Sequence, residues 1–233
     1  MVTTFYLIRH GAVEGDGAKR YNGSIDVPLS ETGARQVEAA SDFLRAHLDD
    51  SVLSRHMSYL NDIHAEGEEE KPPSLSSVYC SDLSRSIRSA EIIAAPFGLT
   101  RVVVPGLRER SFGAWEGMSF NEIRDGYPVE FGMWAENPLK YSPPLGEHTS
   151  DVRDRVIDAF SSIMKKHEGG YVAVVAHGGV NRIILCHILG APLEYIFRIE
   201  QDYAAVNIVE FLDRYPVVRL LNGGPYPGRF NNP

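Results

Sequence analysis

Two short apolar segments of this chain each run straight into a His-Gly pair. Residues 4–9 end at Arg9-His10-Gly11, and Tyr171-Val172-Ala173-Val174-Val175-Ala176 ends at His177-Gly178-Gly179. Runs this short and this continuously apolar or β-prone read as strands buried on both faces, the kind found in parallel sheets. Helical patterns lie between and after them, over 33–48, 83–95, 152–166 and 180–189. Further strands are expected over 77–80 and 101–104, with a late pair over 204–212 and 216–221. Only Asp213-Arg214-Tyr215 separates the late pair, which suits a hairpin and an antiparallel edge. Alternating strands and helices predict an α/β fold, a three-layer α/β/α sandwich around a mostly parallel sheet.

At 233 residues the chain can bury a core without staples, since a chain of this size removes roughly 70 to 75% of its unfolded surface from water. The expectation is one domain over 1–233, with an insertion near 49–76 and a cap-like segment near 112–146 rich in aromatics, Gly and Pro. The insertion reads as a helix over 51–64 followed by a solvated acidic loop, Gly67-Glu68-Glu69-Glu70-Lys71-Pro72-Pro73. An irregular tail is expected from 223 onward. Cys80 and Cys186 lie inside apolar runs, where a free thiol behaves as a small hydrophobe, and they fit a reducing compartment. The N-terminus has no basic flank and too short an apolar run for a signal or a membrane span. A soluble, cytoplasmic protein is expected. The net charge of −8 argues against nucleic acid or an anionic membrane as partner, so any bound anion must sit in a local basic pocket.

Parallel strands present their carboxyl ends to one crevice, so two strands ending in His-Gly can bring His10 and His177 into one site. After His177, Gly178 and Gly179 permit close backbone approach at a helix N-terminus, a place that favours an anion such as phosphate. Arg85, in Ser81-Asp82-Leu83-Ser84-Arg85, falls in the first turn of another helix, where a cation is electrostatically misplaced unless it serves something else. With Arg9 it offers two forked donors suited to phosphate oxygens. His10 between such cations is kept neutral and nucleophilic, and a phosphohistidine divides hydrolysis into two easier steps. Glu109 in Leu107-Arg108-Glu109-Arg110 is placed to protonate the leaving oxygen. The alternative is a surface ion pair of Glu109 with Arg108 or Arg110, and Glu116 is a local competitor. No Asp, His and Cys cluster has metal-ligand spacing, so neither a metal nor another cofactor is expected.

Four blocks carry a resemblance: Leu7-Ile8-Arg9-His10-Gly11, Ser81-Asp82-Leu83-Ser84-Arg85, Leu107-Arg108-Glu109 followed by Phe112-Gly113-Ala114-Trp115-Glu116-Gly117, and Val175-Ala176-His177-Gly178-Gly179. In that order they resemble the histidine phosphatase superfamily, in its phosphoglycerate mutase-like branch. The resemblance implies a phosphohistidine at His10, phosphate contacts from Arg9, Arg85 and His177, and Glu109 as acid and base. Tyr21-Asn22-Gly23, Asp26-Val27-Pro28-Leu29-Ser30 and Pro144-Leu145-Gly146-Glu147 are similar to the small α-ribazole-type phosphatases. Two departures stand out: Asp16 where an Asn phosphate ligand is usual, and Ala12-Val13 in place of Glu-Thr or Glu-Ser. Asn22 is the expected substitute contact, with Gly23 and Gly178 beside it.

The leading reading is a metal-independent phosphomonoesterase acting on a small phosphorylated metabolite. A cofactor-dependent phosphoglycerate mutase needs the same core and must hold its phosphoryl group away from water, but the longer basic inserts of such mutases are missing. A catalytically silent phosphate-binding domain would not need the full reactive set found here. Phe112, Trp115, Tyr127, Phe131 and Trp134 either wall a substrate pocket or pack as the core of the cap. The expected partner is a small-molecule phosphate ester, with the chain as a monomer or a homodimer.

Overall fold

Strand β1 (Val2–Arg9) lies inside the sheet because its side chains are apolar on both faces: Phe5, Tyr6, Leu7 and Ile8 are each at most 1% exposed. The computed structural model describes residues 1–15, 20–49, 74–213 and 215–224. Within them the other strands are β2 (Leu75–Cys80), β3 (Arg101–Val103), β4 (Gly170–Ala176), β5 (Val206–Leu212) and β6 (Tyr215–Gly223), in the order β3-β2-β4-β1-β5-β6. The four strands β3, β2, β4 and β1 run parallel, and β5 and β6 turn the far edge antiparallel. This is the α/β architecture that the alternation of segments predicts.

Among the described residues six α-helices accompany the strands: α1 (Glu31–Asp49), α2 (Ser84–Ala94), α3 (Phe120–Gly126), α4 (Pro128–Glu136), α5 (Thr149–Met164) and α6 (Gly178–Leu189). Alternate strand residues divide between two cores. Phe5, Leu7, Val172 and Val174 pack under α5 and α6 with Val156, Phe160 and Ile184. Tyr6, Ile8, Ala173 and Val175 pack under α1 and α2 with Val37, Leu44 and Ile93. Each fully buried aliphatic or Phe side chain contributes about 1.5–3 kcal/mol, so the sheet is held by both of its faces. Helix α1 starts flush against the loop after β1. Gly11 and Gly33 touch backbone to backbone, and a Cβ on either would collide with main-chain atoms of the other loop.

The aromatic segment after Glu109 builds a third, smaller core around Trp115, Ile123 and Trp134, with Phe112, Tyr127 and Phe131 against it. Its helices α3 and α4 are not among the elements expected from the sequence, which marked this stretch only as cap-like. Ser119 and Glu122 start α3 as a reciprocal cap, Ser119 Oγ accepting the Glu122 amide at 3.3 Å and the Glu122 carboxylate accepting the Ser119 amide at 2.7 Å. Pro128 takes the first position of α4, where its missing N–H has no partner to lose. Of the expected insertion, Asp49 belongs to α1 and Leu75 and Ser76 to β2. The expected helix over 51–64 and the acidic run lie outside the described residues, as do Asp16 and most of the tail.

Candidate active site

The register of the sheet assembles the site. Arg9 pairs with Ala176 across the parallel β1–β4 ladder, so the next residues, His10 and His177, leave the sheet side by side. The His10 amide still donates to the Ala176 carbonyl at 3.0 Å, and the two imidazoles lie 5.1 Å apart, edge to face. Neighbouring β2 delivers Ser81 and, through α2, Arg85; the chain leaving β3 passes through a tight turn at Pro105–Leu107 to Glu109. All four parallel strands thus contribute at their carboxyl ends.

His10 is only 5% exposed. Its Nδ1 lies 2.7 Å from the Gly11 carbonyl oxygen, which can only accept, so Nδ1 carries the hydrogen and Nε2 keeps its lone pair. Burial, then the charges of Arg85 and Arg9, holds its pKa well below the ordinary imidazole value. His177 is fully buried behind it, outside the cavity lining, with Nε2 2.7 Å from Ser81 Oγ. Its Nδ1 is buried with no hydrogen-bond partner. Burial and then the charges of His10, Arg85 and Arg9 lower its pKa as well. Three buried serines bind these segments together. Ser81 meets His177, Ser86 donates to the Val175 carbonyl at 2.8 Å, and Ser89 accepts the Gly11 amide at 3.4 Å.

Arg85 is 0% exposed, a costly place for a charge unless its donors are met. Its Nη atoms donate to the carbonyls of Ile25 at 2.8 Å, Asn22 at 3.1 Å and Gly23 at 2.7 Å, and its Nε is left buried without a partner. Arg9 donates from Nη1 to the Gln201 carbonyl at 2.7 Å and stacks 3.9 Å over the Tyr203 ring, again with an unpartnered Nε. The two cations that the sequence put forward therefore flank His10, each anchored by main-chain carbonyls.

Glu109 faces the same space. Its Oε1 accepts the Arg110 amide at 2.8 Å and its Oε2 accepts the Gly179 amide at 2.9 Å, at the start of α6. That helix N-terminus is thus already engaged by a carboxylate of the protein itself. Arg108 pairs with Asp82 at 2.8 Å. Arg155 on α5 holds the backbone around Glu109, donating to the Arg108 carbonyl at 2.6 Å and to the Glu109 carbonyl at 3.3 Å. Glu116 has a different place. It accepts from the amides of Gly23, Ser24 and Phe112 and from the Ser24 hydroxyl, at 2.8–3.0 Å, and so ties the loop that cradles Arg85 to the cap.

These groups open on a cavity of about 530 Å³. Arg9, His10, Arg85 and Glu109 lie at its sheet end, and Phe112, Phe131 and Trp134 wall its cap side. Trp115, by contrast, is wholly buried in the cap core, so the aromatic set serves both expected purposes. Asn22, Val13 and Gly178 line the cavity. Gly23 does not: its amide is taken by Glu116 and its carbonyl by Arg85, and a Cβ there would strike the Arg110 backbone. The expected substrate contact at Gly23 is replaced by a role in close packing.

A match to the model of the histidine phosphatase superfamily (branch 1) spans residues 5–61 and 62–223. This chain belongs to that superfamily. Phosphoserine phosphatase 1 of Hydrogenobacter thermophilus is 28% identical over 96% of this chain and 94% of that protein. A metal-independent phosphoserine phosphatase of Arabidopsis thaliana is 33% identical over 91% of this chain and 78% of its own. Among solved structures, the α-ribazole phosphatase of Shigella flexneri superposes with a TM-score of 0.74 at 21% identity, over 94% of this chain and 96% of that one, and so shares the fold.

Within this superfamily frame, several cavity residues went unnoticed in the sequence. Arg182 stands one helical turn beyond Gly178 and Gly179, a spacing that puts all three on one face of α6 and that could have revealed it. Arg110 is adjacent to Glu109 and only 6% exposed. Gln201 and Tyr203 come from the loop before β5, which reaches the site only because β5 pairs antiparallel to β1; no local pattern announces them.

Proposed function

We propose that this chain hydrolyses small phosphate monoesters through a phosphohistidine formed on His10 Nε2, within one domain whose segment over 112–146 caps the site, and that it works in the cytoplasm. The single observation carrying the mechanism is the Nδ1–Gly11 carbonyl bond of 2.7 Å, which fixes the tautomer with a lone pair on Nε2 in the cavity. The relatives named as phosphatases support the reaction type, and buried free Cys80 and Cys186 support a reducing setting. No helix among the described residues is long and apolar enough to cross a membrane.

In the first step Nε2 attacks phosphorus, the ester bond breaks, and Glu109 gives its proton to the departing oxygen. Arg9 and Arg85 receive the phosphoryl oxygens, whose negative charge they offset as it redistributes, and the contact expected from His177 requires its unpartnered Nδ1, buried behind His10, to open onto the cavity. In the second step Glu109 takes a proton from water, whose oxygen attacks the phosphohistidine and releases inorganic phosphate. Asn22 and Gly178 complete the lining. No group of three His, Cys, Asp or Glu among the described residues could hold a metal ion, and the arginines supply the charge that a metal otherwise would.

Rapid quenching at neutral or alkaline pH with labelled p-nitrophenyl phosphate tests this reading. Label should be trapped on His10 in the parent protein and absent from a folded His10→Ala variant, with turnover indifferent to EDTA. Label on a serine, cysteine or aspartate, or activity lost to EDTA and restored by a divalent ion, would refute it.

A further inference from the structure

Arg182 is poorly compensated in the protein alone. Its side chain is 20% exposed, and its carboxylate neighbour, Glu200, is 3.7 Å away and 67% exposed. A charge that far out of water is ordinarily paired closely or meets a ligand. Burial and the like charge of Arg9 weigh most against its charged form, and Glu200, Glu109 and Asp202 offset them only in part. Its Nε is fixed by donation to the Ile199 carbonyl at 2.6 Å, which aims the rest of the guanidinium.

The aim is toward the phosphate end. A Cβ built on Gly178 would lie 3.4 Å from Arg182 Nη1 and 3.5 Å from Arg9 Nε, so both guanidiniums come close to the same point beside this glycine. Both line the cavity. Like charges held this close in a buried pocket repel, and the arrangement is relieved when two linked anionic groups occupy it together. Arg9 is already assigned to the phosphate. A single guanidinium fork matches the two coplanar oxygens of a carboxylate in shape and charge.

We propose that Arg182 is a carboxylate receptor and that the substrate is a small phosphate monoester carrying a carboxylate one or two carbons from the ester oxygen. The inference rests on the phosphomonoesterase reading and narrows it to phosphorylated hydroxy or amino acids. Asp202 and Glu200, also in the lining, stand where a cationic substituent of such a molecule would be tolerated.

Matched esters test it. We would measure kcat/KM from released phosphate for O-phosphoserine against O-phosphoethanolamine, and for 3-phosphoglycerate against glycerol 3-phosphate, with p-nitrophenyl phosphate as reference. The carboxylate member of each pair should be preferred by about 10- to 100-fold, the value of one charge-assisted interaction. In Arg182→Gln that ratio should collapse toward one, and Arg182→Lys should restore part of it. A wild-type ratio near one, which needs no variant to fold, would overturn the proposal while leaving phosphatase action intact, as would a preference undiminished in Arg182→Gln. No turnover of any ester, p-nitrophenyl phosphate included, would instead overturn the phosphomonoesterase reading beneath it.

Discussion

The amide of Gly179 reaches Glu109 Oε2 at 2.9 Å, and a Cβ added at Gly179 would sit 2.5 Å from Glu109 Oε1. The atom in the way is the tip of a flexible side chain rather than backbone, so the protein can yield by moving the carboxylate. Alanine also suits a helix better than glycine by about 1 kcal/mol. Gly179→Ala should therefore fold with a melting temperature at or above that of the parent and lose turnover of alkyl phosphates by about 10-fold or more, as misplaced catalytic groups do. Gly11→Ala, whose Cβ would strike the Gly33 backbone, should instead fail by unfolding. Equal stability losses in the two variants would show that Gly179 serves packing alone.

Glu109→Gln separates its assigned role from mere placement. The amide keeps the shape but has no acidic proton to give, and alkyl esters need one because an alkoxide leaves poorly. A p-nitrophenolate leaves unaided. We expect kcat/KM to fall by about 10² to 10⁴ for an alkyl ester and much less for p-nitrophenyl phosphate, the range of general acid catalysis. This ratio excludes the later water-activating step, since it reports only through formation of the phosphohistidine. Equal losses on both esters would remove Glu109 as leaving-group acid. Glu116 would not inherit the role, because its four accepted hydrogen bonds hold it between Ser24 and Phe112.

How much of this was legible beforehand follows from which interactions are local. The strands were legible because Phe5 to Ile8 and Val172 to Ala176 are apolar on both faces, and burial on both faces is what parallel strands in this fold undergo. Arg9, His10, Arg85, Glu109 and His177 were legible because Arg9 ends a readable strand and each of the others comes after one. Gln201 and Tyr203 follow none. Their positions depend on the pairing of β5 with β1, a contact between segments roughly two hundred residues apart, such as Ile8 with Val206. Gly23 was misread for a related reason: its tight contacts are with Arg110, Phe112 and Glu116, far along the chain, and glycine chosen for packing looks the same in sequence as glycine chosen for a ligand. Arg182 had a local signal in its helical spacing from Gly178.

Asn207 offers a test of that distant support. It is fully buried on β5, donating at 2.9 Å to the Leu7 carbonyl and to Gln201 Oε1 and accepting at 2.9 Å from Gln201 Nε2 and the Asn222 amide. Gln201 in turn offers its own carbonyl to Arg9. Asn207→Ala would leave several of these groups unpaired away from water and should cost about 1–3 kcal/mol or more in urea unfolding. Because the slack passes to Arg9, KM should rise at permissive temperature, and a second change at Arg9 should add less than it does in the parent. Fully additive effects would mean the amide cluster supports the sheet without positioning Arg9.

The two buried imidazoles make a last prediction, about stability rather than rate. In the unfolded chain His10 and His177 take up a proton near the ordinary value of about 6.5, whereas in the folded protein burial and the neighbouring arginines keep both neutral well below it. As pH falls below that ordinary value, the unfolded state binds protons that the folded state refuses, so stability declines. Above it, both states are neutral at these residues and the term vanishes. Each imidazole can contribute a slope of up to about 1.4 kcal/mol per pH unit within this window, and the pair about twice that. His167 is shifted the same way, by burial and then Lys166, and Glu147 is held low mainly by Arg155 and the Ser111 amide against the opposing effect of its burial. Both persist in the variants and cancel in a comparison. Urea unfolding of the parent, His10→Gln and His177→Gln, measured from about pH 7 down to about pH 5, a range that brackets the unfolded histidine value, should therefore show a shallower decline in each variant by close to one proton. The reading is in the slope, so it survives any uniform loss of stability from the substitutions. Parallel curves for all three proteins would mean that the folded site accepts protons on these imidazoles, and the neutral nucleophile assigned to His10 would fall with that result.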